Sequence, residues 1–119
     1  KVINENFGNN ASNLVLKQIG ELILSSVRAS DFVFRYGGEE FLVLLSHTLP
    51  EKALEVAERM RLVVESSPFH LDNDQVIHVT VSCGVSIYDG HPDYSKVISK
   101  ADDAANDAKM AGKNRCVLK

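Results

Sequence analysis

Leu14, Val15, Ile19, Leu22, Ile23 and Val27 recur at steps of three and four residues, the spacing that gathers them on one face of a helix. Ser12, just ahead of them, is the expected N-cap. The pattern changes at Asp31. Asp31–Tyr36 and Phe41–Ser46 are short runs rich in Phe, Val and Leu, separated by Gly37-Gly38-Glu39-Glu40, and two apolar runs about a Gly-Gly turn predict a β-hairpin. Pro50 suits the first position of a second helix, whose apolar stripe is Ala53, Val56, Ala57, Met60, Val63 and Val64. Ile77, Val79, Val81, Cys83, Val85 and Ile87 then alternate with polar residues, a period of two that predicts one long strand with one face on a core. Gly84 inside that run predicts a bulge or a close backbone approach. Tyr94, Val97, Ile98, Ala101, Ala104, Ala105 and Ala108 predict the inward face of a third helix, with Gly112 as its C-terminal stop. Arg115–Leu118 reads as a last strand. The order helix, hairpin, helix, long strand, helix, strand predicts an α+β architecture in which helices lie on a mixed sheet. No strand-like run precedes the first helix, so the expectation is a smaller sheet than usual or a trimmed chain.

Composition narrows the class. A chain of 119 residues with 45% hydrophobic and 24% charged residues, 7 Gly and 3 Pro fits one folded domain and excludes disordered, collagen-like and coiled-coil chains. Thirteen basic residues against sixteen acidic ones give a net charge of −3, with the cations spread along the chain, which disfavours a nucleic-acid backbone as partner. A small anionic ligand needs only a few local cations and stays open. Two cysteines, Cys83 and Cys116, are too few for a disulfide scaffold, and each sits in an apolar run as a small hydrophobe. No apolar stretch approaches the ~18 residues of a membrane span, and no signal peptide opens the sequence, so the expectation is a cytoplasmic domain without direct membrane contact.

The candidate chemistry sits at the hairpin. Glu39 and Glu40 follow two glycines at an exposed turn, where backbone can approach a ligand closely and carboxylates can meet a hard cation such as Mg²⁺ that shares its remaining ligands with substrate phosphates. The same layout also describes a turn kept soluble by charge. Lys109 and Lys113 flank the end of the third helix, where they complement the helix dipole or meet phosphate as point charges. Arg28 and Asp31 form either a surface ion pair or an arginine fork beside an acid. The histidines His47, His70, His78 and His91 make no spaced pair suited to a metal.

Arg28-Ala29-Ser30-Asp31 followed by Arg35-Tyr36-Gly37-Gly38-Glu39-Glu40-Phe41 resembles the signature of the GGDEF family, the diguanylate cyclases, in the variant with Glu at the third position. Four further segments resemble that family in order and spacing: Lys1-Val2-Ile3-Asn4, Phe7-Gly8, Thr80-Val81-Ser82-Cys83-Gly84-Val85, and Ala101-Asp102 through Lys109 with Gly112-Lys113-Asn114-Arg115. The resemblance implies a mixed, mostly antiparallel sheet flanked by helices, similar to nucleotidyl cyclases and polymerase palms. It implies condensation of two GTP into cyclic di-GMP with release of two pyrophosphates, at a homodimer in which two sites meet face to face. Mg²⁺ (or Mn²⁺) would be held by Glu39, which also helps deprotonate the attacking 3′-hydroxyl, with Glu40 as a second metal-site or positioning acid. Gly37 and Gly38 would lie against the phosphates, Asn4 would read guanine, and Lys109 and Lys113 would meet the phosphates. Arg28, Asp31 and Arg59 match a product-inhibition site for cyclic di-GMP.

Three departures from the family pattern bear on these expectations. Its second metal aspartate would fall a few residues before Lys1. Asn13 stands where an aspartate usually accepts from guanine, and an amide oxygen accepts without charge assistance. Asn9, and Ala105-Asn106, replace residues usual in the family. Family members are usually the output end of proteins with sensory or receiver domains. A catalytically silent module that binds cyclic di-GMP or GTP is the alternative.

Overall fold

The structure, a computed structural model, describes residues 2–35, 39–71, 74–88, 90 and 92–119, with side chains from Asn13 onward. Among these, three helices and six short strands follow one another: α1 (Val2–Ser25), β1 (Phe32–Arg35), β2 (Phe41–Leu44), α2 (Pro50–Ser66), β3 (Phe69–His70), β4 (Val76–Ile77), β5 (Cys83–Val85), α3 (Tyr94–Met110) and β6 (Cys116–Leu118). This is the α+β mix expected. The strands form three pairs, β1 with β2 and β3 with β4 antiparallel, and β5 with β6 parallel. The contacts divide the chain into two compact units, Lys1–Ser46 with Ser66–Val79, and His47–Glu65 with Thr80–Lys119.

In the first unit, α1 buries Val15, Ile19 and Ile23, three of the six positions that the spacing selected, while Leu14 and Leu22 are half-buried. Ser12 lies inside the helix and is not its cap, because α1 already runs from Val2. The helix stops where Ser25 Oγ and Ser26 Oγ both donate to the Leu22 carbonyl (2.8 and 2.9 Å), which gives the backbone a local alternative to further turns. The Gln18 amide works as a short piece of strand: its Nε2 donates to the His70 carbonyl at 2.9 Å, and the His70 N–H donates back to Oε1 at 3.2 Å. That tie fixes β3 on α1 beside buried Phe69.

In the second unit, α2 begins at Pro50 as expected and buries Ala53, Ala57, Met60 and Val64. The expected long strand does not form. Ile77 pairs in β4 of the first unit, Cys83–Val85 forms β5 of the second, and 78–82 belong to neither strand. Burial alternates only from Ile77 to Thr80, with every residue from Val81 to Ile87 half-buried. A strand persists only where a partner supplies the ladder, and β3 offers two residues while β6 offers three. Gly84 is the close approach that its place in the run implied. A Cβ there would stand 2.0 Å from the Ala101 carbonyl oxygen and 2.3 Å from the Ala105 nitrogen, both backbone atoms of α3. Fully buried Ala104 and Ala108 extend the small-residue face of α3, whereas Tyr94, read as inward, is 66% exposed and leans on Tyr88. The helix starts with Asp93, whose carboxylate accepts from Ser95 N–H and Oγ–H at 3.0 and 2.6 Å.

Gly84→Ala should destabilise the protein by roughly 3 kcal/mol, because backbone rather than a movable side chain blocks the new methyl. Urea unfolding followed by circular dichroism measures it; a loss below about 0.5 kcal/mol would contradict the close approach.

Candidate functional site

The hairpin is built so that its acids reach solvent. Phe32 pairs with Leu44, Val33 with Val43, Phe34 with Leu42 and Arg35 with Phe41, which leaves 36–40 as the connection. The Phe41 ring seats against α1 at Gly20, where a Cβ would come within 3.2 Å of it, and the Arg35 guanidinium lies 6.0 Å from the centre of the same ring. Glu39 and Glu40 are both exposed at the tip. Gly37 and Gly38 lie outside the described residues, as does the side chain of Asn4. Asn13 is exposed on α1.

At the base of the hairpin, Asp31 proves to be more than half of a surface ion pair. Its side chain is 2% exposed, while that of Arg28 is 58% exposed. The carboxylate accepts from the backbone N–H groups of Arg28 at 2.9 Å and Ser46 at 3.0 Å, and from Arg28 Nε and Nη2 at 3.4 Å each. Arg28 Nη2 also donates to the Ser46 carbonyl. Burial by itself would raise the Asp31 pKa. The donors from Ser46 and Arg28, with the Arg28 charge, outweigh it and bring the carboxyl down to about 2. One acid therefore closes the turn before β1 onto the residue that follows the hairpin.

In the second unit, the lysines are placed by the end of α3. Gly112 N–H donates to the Lys109 carbonyl at 3.3 Å and Lys113 N–H to the Ala108 carbonyl at 2.9 Å, the double bond pattern of a Schellman cap. Gly112 takes φ +127°, as such a cap requires. Lys109 and Lys113 are both exposed, on the last turn and just past it. Arg59 is exposed on α2.

A cluster that sequence reasoning missed surrounds Arg61, whose side chain is 13% exposed. Arg61 bonds Glu58 through Nε at 2.9 Å and through Nη2, lies 3.6 Å from a Glu65 oxygen, and donates from Nη1 to Asn114 Oδ1 at 2.9 Å. Asn114 Nδ2 in turn donates to Glu65. The Arg61 hydrogen bond lowers the Glu58 pKa against the effect of burial, and the same bond raises that of Arg61. The spacings of Glu58, Arg61 and Glu65 were a visible signal of helix pairing. The partner 53 residues further on was not.

Cys83 and Cys116 face each other as a register pair of β5 and β6, both half-buried free thiols. The neighbouring Cys83 thiol, burial and the Glu58 carboxylate together hold the Cys116 thiol high. Among the described residues no group of three or more His, Cys, Asp or Glu could by itself hold a metal ion, and no helix is long and apolar enough to cross a membrane.

The first unit thus carries two exposed acids on its hairpin, and the second two exposed lysines at a capped helix end. The family model described as diguanylate cyclase, GGDEF domain, matches residues 1–115. The chain belongs to the GGDEF family. It is 38% identical over 118 residues to the diguanylate cyclase DosC of Escherichia coli K12, covering 99% of the chain and 26% of DosC. It is 40% identical over 121 residues to the response regulator PleD of Caulobacter vibrioides, covering all of the chain and 27% of PleD. The chain therefore spans about a quarter of the length of these relatives. Among solved structures, the active GGEEF domain of a diguanylate cyclase from Vibrio cholerae aligns with TM-score 0.86 at 32% identity, covering 98% of this chain and 74% of that one.

Asp31→Ala should cost roughly 2–4 kcal/mol, since it strands the Ser46 and Arg28 N–H groups. Thermal unfolding checks this, and a loss under about 0.5 kcal/mol would restore the surface-pair reading. The folded carboxyl, at about 2, lies below its ordinary 3.8. Its stabilisation is therefore complete above pH ~4 and disappears as pH falls through ~2. Asp31→Asn should flatten the stability profile across that window.

Proposed function

We propose that the chain is the catalytic domain of a diguanylate cyclase that condenses two GTP into cyclic di-GMP and two pyrophosphates. The observation that carries this reading is the exposed Glu39-Glu40 pair on the β1–β2 hairpin, within a GGDEF family match that runs from residue 1 to residue 115. In the reaction, the 3′-hydroxyl of each GTP attacks the α-phosphorus of the other and expels pyrophosphate.

The donor set fits Mg²⁺ or Mn²⁺. Such hard cations bind through one or two carboxylates and take further oxygens from substrate phosphates, so a self-contained cage is not required. Glu39 would hold the ion, which supplies charge neutralisation at the phosphates. Glu39 would also accept the proton from the attacking hydroxyl, with Glu40 as its positioning neighbour. Gly37 and Gly38 admit the phosphates to the backbone, Asn4 and Asn13 read guanine, and Lys109 and Lys113 bind phosphate as point charges. Asn13 supports guanine recognition with a neutral acceptor, which favours weaker selectivity than a carboxylate would give.

The half-exposed Arg28 guanidinium, aimed by its bonds to Asp31 and Ser46, supports a product-inhibition site completed by Arg59. We propose further that residues 1–119 act as one domain, as a homodimer, on the cytoplasmic side, below a sensory or receiver domain of a longer protein; the relatives' greater length supports the last point.

The full-length protein with GTP and Mg²⁺ should form cyclic di-GMP, quantified by chromatography. Glu39→Ala should lower the rate at least about a hundredfold, the scale of losing several kcal/mol of charge stabilisation. Wild-type protein that binds cyclic di-GMP in calorimetry without forming it would replace this reading with that of a silent binding module.

A further inference from the structure

Lys113 and Asn114 both adopt left-handed backbone, with φ of +66° and +49°. Asparagine enters this region comparatively readily, but for a lysine it costs about 1 kcal/mol or more and persists where the surroundings over-determine it. The surroundings here do so from every side. Lys113 N–H is held by the Ala108 carbonyl, and its own carbonyl accepts from Arg115 Nε at 3.1 Å. The Asn114 side chain is held at both ends, its oxygen by Arg61 and its nitrogen by Glu65. Arg61 is itself fixed by Glu58, so the chain of contacts runs from the middle of α2 to the residue after the lysine. The helix cap alone does not require this, since a Schellman cap is complete once Lys113 N–H is bonded. The extra bonds restrain the outward turn that carries the Lys113 side chain.

We propose that Arg61 and Glu65, acting through Asn114, are positioning residues that present the Lys113 ammonium to a GTP phosphate. This rests on the reading of the chain as a GTP-condensing domain. Lysine has a long flexible stem and no fork of its own, so a fixed backbone origin is the means by which a protein can aim it. None of the positioning residues is required to touch the nucleotide.

The test uses Asn114→Gly in the full-length protein, because glycine keeps the left-handed backbone accessible and removes only the amide. Asn114→Gly should raise KM for GTP roughly tenfold with kcat within about twofold of wild type. Glu65→Gln, which keeps an acceptor for Asn114, should leave KM near the wild-type value. In a Lys113→Ala background, which itself raises KM, Asn114→Gly should add nothing, since the two act as one unit. An unchanged KM in Asn114→Gly beside a raised KM in Lys113→Ala overturns the positioning role and leaves the enzyme reading intact. An equal rise with and without Lys113 overturns it as well, as the mark of a merely structural residue. Wild-type protein that neither binds nor turns over GTP overturns both.

Discussion

A single buried carboxylate holds the acidic hairpin to its frame. Asp31 receives two backbone N–H groups and an arginine, one from each end of the segment that carries the signature. In low-dielectric surroundings an uncompensated charge would be expensive, and here every contact works against that cost. The four ladder pairs above it, from Phe32–Leu44 to Arg35–Phe41, inherit a closed base. With Phe41 seated at Gly20 of α1, the tip acids project from a strand pair fixed at both its foot and its shoulder. Exposed groups can thereby sit on a rigid element, as a site that must orient charge requires.

The second unit solves the same problem by different means. Its lysines depend on a helix end, and that end depends on backbone packing at Gly84 and on a cap that satisfies the last carbonyls of α3. The alanines at 104 and 108 let the helix come close to the β5–β6 pair, whose register joins Cys83 to Cys116. Small residues thus occupy the inner face of α3, while Lys109 in its last turn and Lys113 just past it stand in solvent.

Much of this was legible in the sequence, and the reasons are specific. Helical periods marked the buried stripes of α1 and α2, proline and glycine marked the start of α2 and the end of α3, and the two apolar runs marked the hairpin. Gly84 was legible as a conflict within its strand. What escaped depends on partners distant in sequence. The Ile77–Ile87 alternation could not say that its two ends pair with different strands. The Arg28–Asp31 spacing could not reveal that Ser46 would bury the acid. Nothing local to Arg61 in the sequence points to Asn114, its partner 53 residues on. The GGDEF resemblance, by contrast, rested on local segments in fixed order, which is why the family was recognisable before any contact was known.

The contact between Gly84 and α3 has a mechanical consequence. Where backbone meets backbone, no side chain can change rotamer to absorb a displacement, so the helix behaves as an indexed rod. Ala105 touches the index point, and Lys109 stands one turn further along, about 6 Å at 1.5 Å per residue. Sliding or rotating α3 by less than a full turn would drive a carbonyl into Gly84. The lysine end is thus clocked to the strand, and its placement tolerates little drift even though the side chains themselves stand in solvent.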